Sequence, residues 1–251
     1  LKNLSFSVEE GEYVAIMGES GSGKTTLLNI LASLDRPTSG EVLLEGKNIV
    51  HLTEKEISAF RRKNLGFVFQ DFNLLDTFSL KDNIMLPLVL SGKTYSEMAP
   101  KMMELSRRLS IEKLLEKYPY EVSGGQKQRI AIAGVLAMKP DCIVLDEPTA
   151  MLDPVGRRDV METIERLNKE EGITVILITH YMDEAVRGDK VYVIDDGDLV
   201  MKGTPREIFV QVEKLKEYGL DVPQVTEVTY LLRKEGIDLP ADILTVEEMV
   251  G

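Results

Sequence analysis

Nine residues near the start of this 251-residue chain, GESGSGKTT from Gly18 to Thr26, constrain its fold more than any other stretch. They match the pattern G-x-x-x-x-G-K-[S/T], in which a glycine-rich turn joins a buried strand to a helix. The flanking residues fit this pattern, because the apolar run Tyr13–Met17 precedes the turn and helical spacing follows from Lys24 to about Ser33. Glycines let backbone N–H groups surround phosphate oxygens, and the helix N-terminus adds a favourable dipole. The sequence therefore predicts a phosphate-binding loop in an α/β fold.

Two side chains of this loop have specific predicted roles. Lys24 is expected to reach the β- and γ-phosphates of a nucleotide, and the Thr25 hydroxyl is expected to coordinate Mg²⁺. The alternative is a structural glycine-rich turn that holds no ligand. The predicted nucleotide-binding residues of the loop are Gly18, Glu19, Ser20, Gly21, Ser22, Gly23, Lys24, Thr25 and Thr26.

The composition narrows the class of protein further. With 43% hydrophobic and 29% charged residues, the chain has a globular composition, and no apolar run reaches the ~18–20 residues that span a bilayer. The net charge of −12 argues against nucleic acid as the main partner. The single cysteine, Cys142, excludes a disulfide within the chain and lies in an apolar run, so we expect a reducing compartment.

Alternating strand and helix patterns predict how the loop is embedded. Leu4, Phe6 and Val8 alternate with polar residues, which indicates a half-buried strand at residues 3–8. Further strands are indicated as a pair in EVLLEGKNI, as buried runs in LGFVFQ, CIVLDE and ITVILIT, and as a hairpin around Asp196–Gly197.

Mostly helical spacing runs from about Leu80 to Tyr118, and an amphipathic helix between CIVLDE and ITVILIT has Val160, Ile164 and Leu167 on one face. Helices are again indicated from Thr204 to Gly219 and from Pro223 to Gly236. Thr204 is the predicted N-cap of the first of these, with Pro205 in its first turn. We therefore expect an α/β fold with a mainly parallel core sheet, an N-terminal antiparallel β subdomain, an inserted helical subdomain and a small C-terminal extension.

Four polar residues follow buried strands, at the sheet edge where open α/β folds bind ligands. Asp146 suits an aspartate that supports Mg²⁺, and Glu147 is the candidate to polarise an attacking water. Gln70 ends LGFVFQ, where a neutral amide can orient water or coordinate Mg²⁺. His180 follows ILIT and is a candidate for contact with the γ-phosphate. The alternatives are a solvated acidic strand end and a structural histidine.

A second glycine-containing motif, SGGQ, opens a helix. Its first and last residues fit a capping box, which would make it an ordinary helix start. The other interpretation is a second phosphate-binding helix N-terminus, because a cap alone does not need two consecutive glycines. The motif by itself does not decide between these two interpretations. The candidate binding residues are Ser123, Gly124, Gly125 and Gln126.

Together these motifs resemble the nucleotide-binding subunit of ABC transporters over nearly the whole chain. The corresponding segments are the Walker A loop (Gly18–Thr26), the Q-loop glutamine (Gln70), the signature (Val122–Gln126), the Walker B strand (Cys142–Glu147), the D-loop (Ala150–Asp153) and the switch histidine (His180). The resemblance implies an ATPase that uses ATP and Mg²⁺, in which two subunits pair head to tail. Each ATP then lies between Walker A of one subunit and the signature of the other.

The resemblance also implies a role for each catalytic residue. Glu147 is expected to be the general base, and His180 is expected to sense the γ-phosphate. Thr25, Gln70 and Asp146 are expected to lie at the Mg²⁺ ion.

Different parts of the chain resemble different branches of that family. The stretch Gln70–Lys93 is similar to the ATPases of bacitracin and peptide-antibiotic exporters. From about Ile130 onward the chain is similar to energy-coupling-factor (ECF) ATPases, most distinctively in the tail that begins GLDVPQVTE. The ECF resemblance implies ATP-driven import of a vitamin or a metal ion. Export of a peptide antibiotic is the alternative, and an inactive hybrid or truncated fragment is another.

The family pattern also predicts domains and partners. We expect an ATPase domain at residues 1–203, with its helical subdomain at about 71–137, and an extension at 204–251 that contributes dimer contacts. Nothing before Leu4 supplies the adenine-stacking aromatic residue of the family, so the first strand is predicted to be missing. The expected partners are a second ATPase subunit and integral membrane subunits, at the cytoplasmic face of the cell membrane. The negative charge argues against a soluble ABC ATPase that acts on DNA or ribosomes.

Overall fold

A computed structural model describes residues 1–250 of the chain. Its strands are β1 Tyr13–Met17, β2 Leu43–Leu44, β3 Lys47–Asn48, β4 Leu65–Val68, β5 Cys142–Asp146, β6 Thr174–Ile178, β7 Lys190–Asp195 and β8 Asp198–Gly203. Its α-helices are α1 Lys24–Leu31, α2 Glu54–Asn64, α3 Leu80–Leu90, α4 Tyr95–Arg108, α5 Gly124–Leu136, α6 Pro154–Glu171, α7 Met182–Ala185, α8 Pro205–Phe209, α9 Val212–Glu217, α10 Gln224–Lys234 and α11 Val246–Val250. The chain divides into two compact units: the first contains residues 1–28 and the residues from Ile176 onward, and the second contains residues 29–175.

The first unit is built on strand β1, which is entirely buried, as its unbroken apolar sequence predicts. Strand β1 pairs in parallel with β7, and β7 turns back into antiparallel β8 through Asp196 and Gly197. Both turn residues have a positive φ, 43° and 83°, which is the conformation that a two-residue type I′ turn requires. The hairpin predicted from the Asp-Gly pair is confirmed.

The segment before β1 differs from its prediction. Its apolar residues are half-buried and their neighbours are exposed, as predicted, but residues 3–8 form no strand. A strand needs a neighbouring strand for its N–H and C=O groups, whereas this segment is held by side chains. The Phe6 ring packs on Tyr192 with ring centroids 5.1 Å apart, and the Tyr192 hydroxyl donates a hydrogen bond to the Ser7 carbonyl at 2.8 Å. The predicted strand is therefore wrong, although its buried face is right.

The C-terminal segment enters the same apolar core as β1. Thr204 caps α8 with a capping box and Pro205 lies in the first turn, as the sequence predicts. The predicted single helix breaks between α8 and α9, yet Ile208, Val212 and Leu215 are all buried as one face. The core that joins this segment to β1 and β7 includes Ala15, Met17, Val191, Val193, Ile208, Phe209, Val212, Leu215, Leu220, Val222 and Leu244. The C-terminal segment is therefore packed against the strand that leads into the glycine-rich loop.

Glycines end the C-terminal helices where the sequence predicts. Gly219 (φ +67°) follows α9 and Gly236 (φ +91°) follows α10, and both adopt the left-handed conformation that glycine tolerates best. Helix α10 begins directly after Pro223, and the buried Thr226 hydroxyl donates to the Ile243 carbonyl at 2.7 Å. This bond attaches the segment around Ile243 to α10.

The second unit contains the inserted helices. Strand β4 pairs in parallel with β5, and the short strands β2 and β3 form the antiparallel pair predicted from EVLLEGKNI. Helix α3 packs on α4 and α5, which confirms the predicted helical region, and α5 packs on α6. The predicted buried face of α6, namely Val160, Ile164 and Leu167, is fully buried. A mainly parallel α/β fold with a small antiparallel sheet is therefore confirmed.

The single cysteine lies inside the second unit, on β5. Its side chain is buried, and burial raises the pKa of the Cys142 thiol to about 12. Because the thiolate is the reactive form of cysteine, Cys142 is a packing residue.

Substitution of Phe209 tests how far the C-terminal segment contributes to the core. Phe209 is fully buried, so Phe209→Ala is expected to lower the free energy of unfolding by about 3–5 kcal/mol in urea denaturation. The neighbouring Val210 is 39% exposed, and Val210→Ala is expected to change the free energy of unfolding by no more than about 0.5 kcal/mol. Equal effects of the two variants would contradict this packing.

Candidate functional site

The glycine-rich loop leaves β1 beneath the β7–β8 hairpin. A Cβ atom on Gly18 would overlap the Ile194 carbonyl oxygen, so only glycine allows this approach. The Gly197 N–H donates to the Ser22 carbonyl at 2.9 Å, which fixes the loop to the hairpin turn. Gly21 and Gly23 have φ values of +84° and +107°, so the loop bends through conformations that other residues rarely adopt. The predicted strand–loop–helix unit is confirmed as a structure.

The interior of the loop has the donors that an anion requires. The Lys24 ammonium is largely buried and donates to the carbonyls of Gly18 and Glu19, at 2.7 Å each. The Ser22 hydroxyl is buried and has no hydrogen-bond partner among the described residues. A buried hydroxyl without a partner is costly unless a ligand satisfies it. These residues therefore fit a bound phosphate, and Thr25 is exposed in the first turn of α1 beside them.

His180 lies at the same sheet edge as this loop. The Thr179 N–H donates to the Ile16 carbonyl at 3.2 Å, which places the end of β6 beside the end of β1. The buried Glu184 carboxylate accepts a hydrogen bond from the Thr179 hydroxyl at 2.6 Å and fixes the turn. His180 itself is exposed, with its ring 4.1 Å from that of Tyr181. Its predicted location at the carboxyl edge is confirmed, and its catalytic role stays a prediction.

The Walker B carboxylates belong to the second unit. Asp146 ends β5 and Glu147 follows it, and both are half-buried. Glu147 has a φ of +44°, a left-handed conformation that is unusual for glutamate. Strain of this kind concentrates at functional sites. Because Glu45 and Lys139, which belong to no predicted site, adopt the same conformation, the assignment of Glu147 depends on the sequence motif.

Local structure accounts for the serine and the glutamine of the signature turn. Ser123 and Gln126 form the predicted capping box of α5. Close packing requires a glycine at position 125, because a Cβ atom there would lie 2.9 Å from the Cα atom of Gly156 on α6. The capped-helix interpretation is therefore confirmed, and Gly125 is needed for close contact between α5 and α6. Phosphate binding by the same turn stays a prediction.

Gln70 is exposed two residues after the end of β4 and begins the Q-loop, defined here as residues 70–73. Phe72 in this loop reaches Gly124 of the signature turn. The structure thus brings the Q-loop, the signature and the D-loop together within the second unit. It brings the Walker A loop and His180 together within the first.

Sequence reasoning missed several residues that shape these sites. Gly219 lies against the carboxylate of Glu19 in the Walker A loop, although the sequence marked it only as a helix end. Phe72 and Gly156 lie close to the signature glycines, and no role was predicted for either residue. The one available signal was Gly156 itself, because a glycine inside a helix costs stability unless close packing requires it.

Comparison with known protein families decides the classification. Residues 1–150 match the model of the family described as ABC transporter. The chain belongs to the ABC transporter family. It is an ABC-type ATPase, as the motifs predicted. Among residues 1–250, no helix is both long enough and apolar enough to cross a membrane.

Two relatives illustrate the mixed resemblance. The chain is 48% identical over 254 aligned residues to the ECF transporter ATP-binding protein EcfA1 of Caldanaerobacter subterraneus subsp. tengcongensis, covering 100% of this chain and 90% of that protein. It is 49% identical over 214 residues to the ABC transporter ATP-binding protein YxdL of Bacillus subtilis, covering 84% of this chain and 83% of that protein. The EcfA1 alignment thus includes the C-terminal segment in full.

Solved structures give the same family. CbiO1 of Clostridium perfringens, described as part of the ABC transporter complex CbiONQ, matches with a TM-score of 0.79 at 33% identity, over 93% of this chain and 92% of that chain. The cassette MJ0796, solved as a dimer in a post-hydrolysis state with ADP and Pi, matches with a TM-score of 0.75 at 37% identity, over 82% of this chain and 90% of that chain. The predicted ABC cassette fold is confirmed.

A matched pair of glycine substitutions tests the contact between Gly219 and Glu19. Both Gly219→Ala and Gly236→Ala place a side chain at positive φ, which is expected to cost about 1–2 kcal/mol of stability each. Only Gly219→Ala also collides with Glu19, since nothing lies within 4 Å of the Cβ position on Gly236. Because the exposed Glu19 side chain can rotate away, we expect little further loss of stability in Gly219→Ala. The displaced Glu19 side chain is expected to weaken ATP binding in this variant only, measured by calorimetry. Equal ATP affinities in the two variants would show that the contact does not shape the loop.

Proposed function

We propose that this chain is the ATP-hydrolysing subunit of an ECF-type importer, which carries a vitamin or a metal ion into the cell. The observation that carries the proposal is the EcfA1 alignment over 100% of the chain, including the C-terminal segment. That segment shares a core with the strand that leads into the Walker A loop, so it is an integral part of the ATPase. A peptide-antibiotic exporter accounts less well for this segment.

Nucleotide binding is assigned to the Walker A loop. The backbone N–H groups of Gly18–Thr26 and the Lys24 ammonium surround the phosphates, and Lys24 exchanges its bonds to the Gly18 and Glu19 carbonyls for phosphate oxygens. The unpaired Ser22 hydroxyl supports this assignment, because a phosphate oxygen would satisfy it. We assign Mg²⁺ to Thr25, Gln70 and Asp146; when bound, the ion neutralises charge that develops on the transferred phosphoryl group.

Hydrolysis is assigned to Glu147. Its carboxylate accepts a proton from the water that attacks the γ-phosphorus, while the bond from that phosphorus to the bridging oxygen breaks and leaves ADP. His180 at the sheet edge contacts the γ-phosphate. The exposed Ser123 and the amides of Gly124–Gln126 act on ATP that is held by a second copy or a related ATPase subunit, so each site needs both subunits.

The remaining surfaces suit a membrane-bound assembly at the cytoplasmic face of the cell membrane. The helical region exposes Val89, Leu90 and Tyr95, with exposed fractions from 52% to 71%. These three side chains are close in sequence on the helical region, and we assign them to contact with the integral membrane subunits. Val228, Leu231 and Val246 are also exposed on the C-terminal segment, which supports the predicted role of residues 204–251 in dimer contacts.

Two Walker variants test the ATPase and its dimer. Lys24→Ala is expected to abolish ATP binding and turnover, because it removes the charge that stabilises the phosphates. Glu147→Gln is expected to bind ATP but to lose hydrolysis by at least about 100-fold, as removal of a general base does. ATP should then trap a Glu147→Gln dimer, visible by size-exclusion chromatography. Normal turnover in Lys24→Ala would refute the site, and a wild-type chain without ATPase activity would favour the inactive hybrid.

Co-purification from the native membrane tests the transport assignment. An epitope-tagged chain, extracted in mild detergent, is expected to retain integral membrane subunits whose identity separates an importer from an exporter. The Leu90→Asp variant is expected to lose them while keeping its ATPase activity, because a charge at a desolvated interface is costly. Retention of exporter permeases would replace the ECF proposal, and recovery of ribosomes or DNA instead would exclude transport.

A further inference from the structure

Residues of both neighbouring loops lie close to Gly124 in the signature turn. A Cβ atom on Gly124 would lie 2.9 Å from Leu152 Cδ2, 3.4 Å from the Met151 carbonyl oxygen and 3.7 Å from Phe72 Cζ. The first two contacts belong to the D-loop and the third belongs to the Q-loop. Phe72 and the D-loop therefore limit the space beside Gly124 in the signature turn.

The backbone of Phe72 is held in an unfavourable conformation. Phe72 has a φ of +61° and Asn73 a φ of +50°, so two successive residues without glycine adopt left-handed geometry. Asparagine tolerates this conformation, whereas a bulky aromatic residue rarely does. Such a residue persists only where surrounding contacts determine its position. Two hydrogen bonds hold the backbone of this turn, from the Phe72 N–H to the Phe69 carbonyl at 3.2 Å and from the Asn73 N–H to the Asp71 carbonyl at 2.7 Å. The Phe72 ring adds contacts outside the turn.

The ring of Phe72 contacts two successive turns of the signature helix start. Besides Gly124, it lies 6.0 Å from the Lys127 ammonium, measured to the ring centroid, which is within the range of a cation–π interaction. The Lys127 N–H in turn donates to the Ser123 carbonyl at 2.9 Å. The ring is thus connected to the first and last residues of the turn that presents the Ser123 hydroxyl.

We propose that Phe72 is a positioning residue, which sets the direction in which the signature turn of its own subunit faces the nucleotide. The inference rests on the proposed ATPase, in which that nucleotide is held by the other subunit. The proposal gives two residues of the Q-loop different roles. Gln70 acts on the ATP of its own subunit, whereas Phe72 acts on the ATP of the partner subunit through Gly124 and Lys127.

Hydrogen exchange of the full-length chain tests the contact itself. Phe72→Ala is expected to accelerate amide exchange at residues 125–127 by about tenfold, because the turn loses its support. Phe72→Tyr keeps the ring and is expected to exchange like the wild type. Phe78→Ala, which removes an exposed ring nearby in the same segment, is the matched control and is expected to leave these amides unchanged. Unchanged exchange in Phe72→Ala would overturn the proposal.

Mixed dimers of two differently tagged copies test the direction of the effect. When one copy carries Lys24→Ala, the only competent Walker A loop is on the other copy, and the signature that completes it is on the Lys24→Ala copy. Phe72→Ala on the Lys24→Ala copy is expected to lower residual turnover by about tenfold, as loss of positioning does. Phe72→Ala on the other copy is expected to leave that turnover unchanged. The reverse pattern would assign Phe72 to its own subunit's site and overturn the proposal.

If mixed dimers with a single competent site do not hydrolyse ATP, a binding measurement tests the same proposal. In the Glu147→Gln background, Phe72→Ala is expected to weaken the ATP-trapped dimer about tenfold, with the ATP affinity of the single chain unchanged and Phe72→Tyr restoring the dimer. Loss of single-chain ATP affinity would instead indicate general damage and overturn the proposal. A wild-type chain that never hydrolyses ATP would refute the proposed function, and the exchange experiment would still decide the contact.

Discussion

The burial of strand β1 is the constraint on which the first unit depends. Its residues, Tyr13–Met17, are at most 1% exposed, so the strand has no freedom to shift. Strand β7 pairs with it along one edge, and the turn that carries His180 is bonded to it through Thr179 and Ile16. Apolar side chains of the C-terminal segment pack in the same core. The glycine-rich loop therefore starts from a fixed point, which is the preorganisation that phosphate binding and catalysis require.

The sequence predicted those parts of the site in which chemistry and local conformation demand the same residues. Gly18, Gly21 and Gly23 were identifiable because phosphate binding and the turn both need them, and the Asp196–Gly197 hairpin because its turn type needs a positive φ. Thr204 and Ser123 were identifiable as caps since the capping box spans only a few residues. In each case the cause lies within a short stretch of the chain.

Long-range contacts could not be predicted in this way. The contacts of Gly125 with Gly156, of Phe72 with Gly124, and of Gly219 with Glu19 join residues that are distant in sequence. No periodicity or spacing records such pairs. Residues 3–8 show the same limit, because alternation identified the buried face of this segment but not whether a neighbouring strand was available to pair with its backbone. A sequence motif locates the reactive groups, whereas packing between distant segments determines how firmly they are held.

The buried thiol of Cys142 has a practical consequence. Reagents that label proteins at cysteine act on the thiolate, and burial keeps this cysteine protonated, with a pKa of about 12, and out of solvent. The folded protein therefore behaves toward maleimides and spin labels as a chain without cysteine. A single cysteine introduced on the exposed surface of either unit becomes a specific attachment point, and no substitution of the native residue, which would disturb strand β5, is needed first.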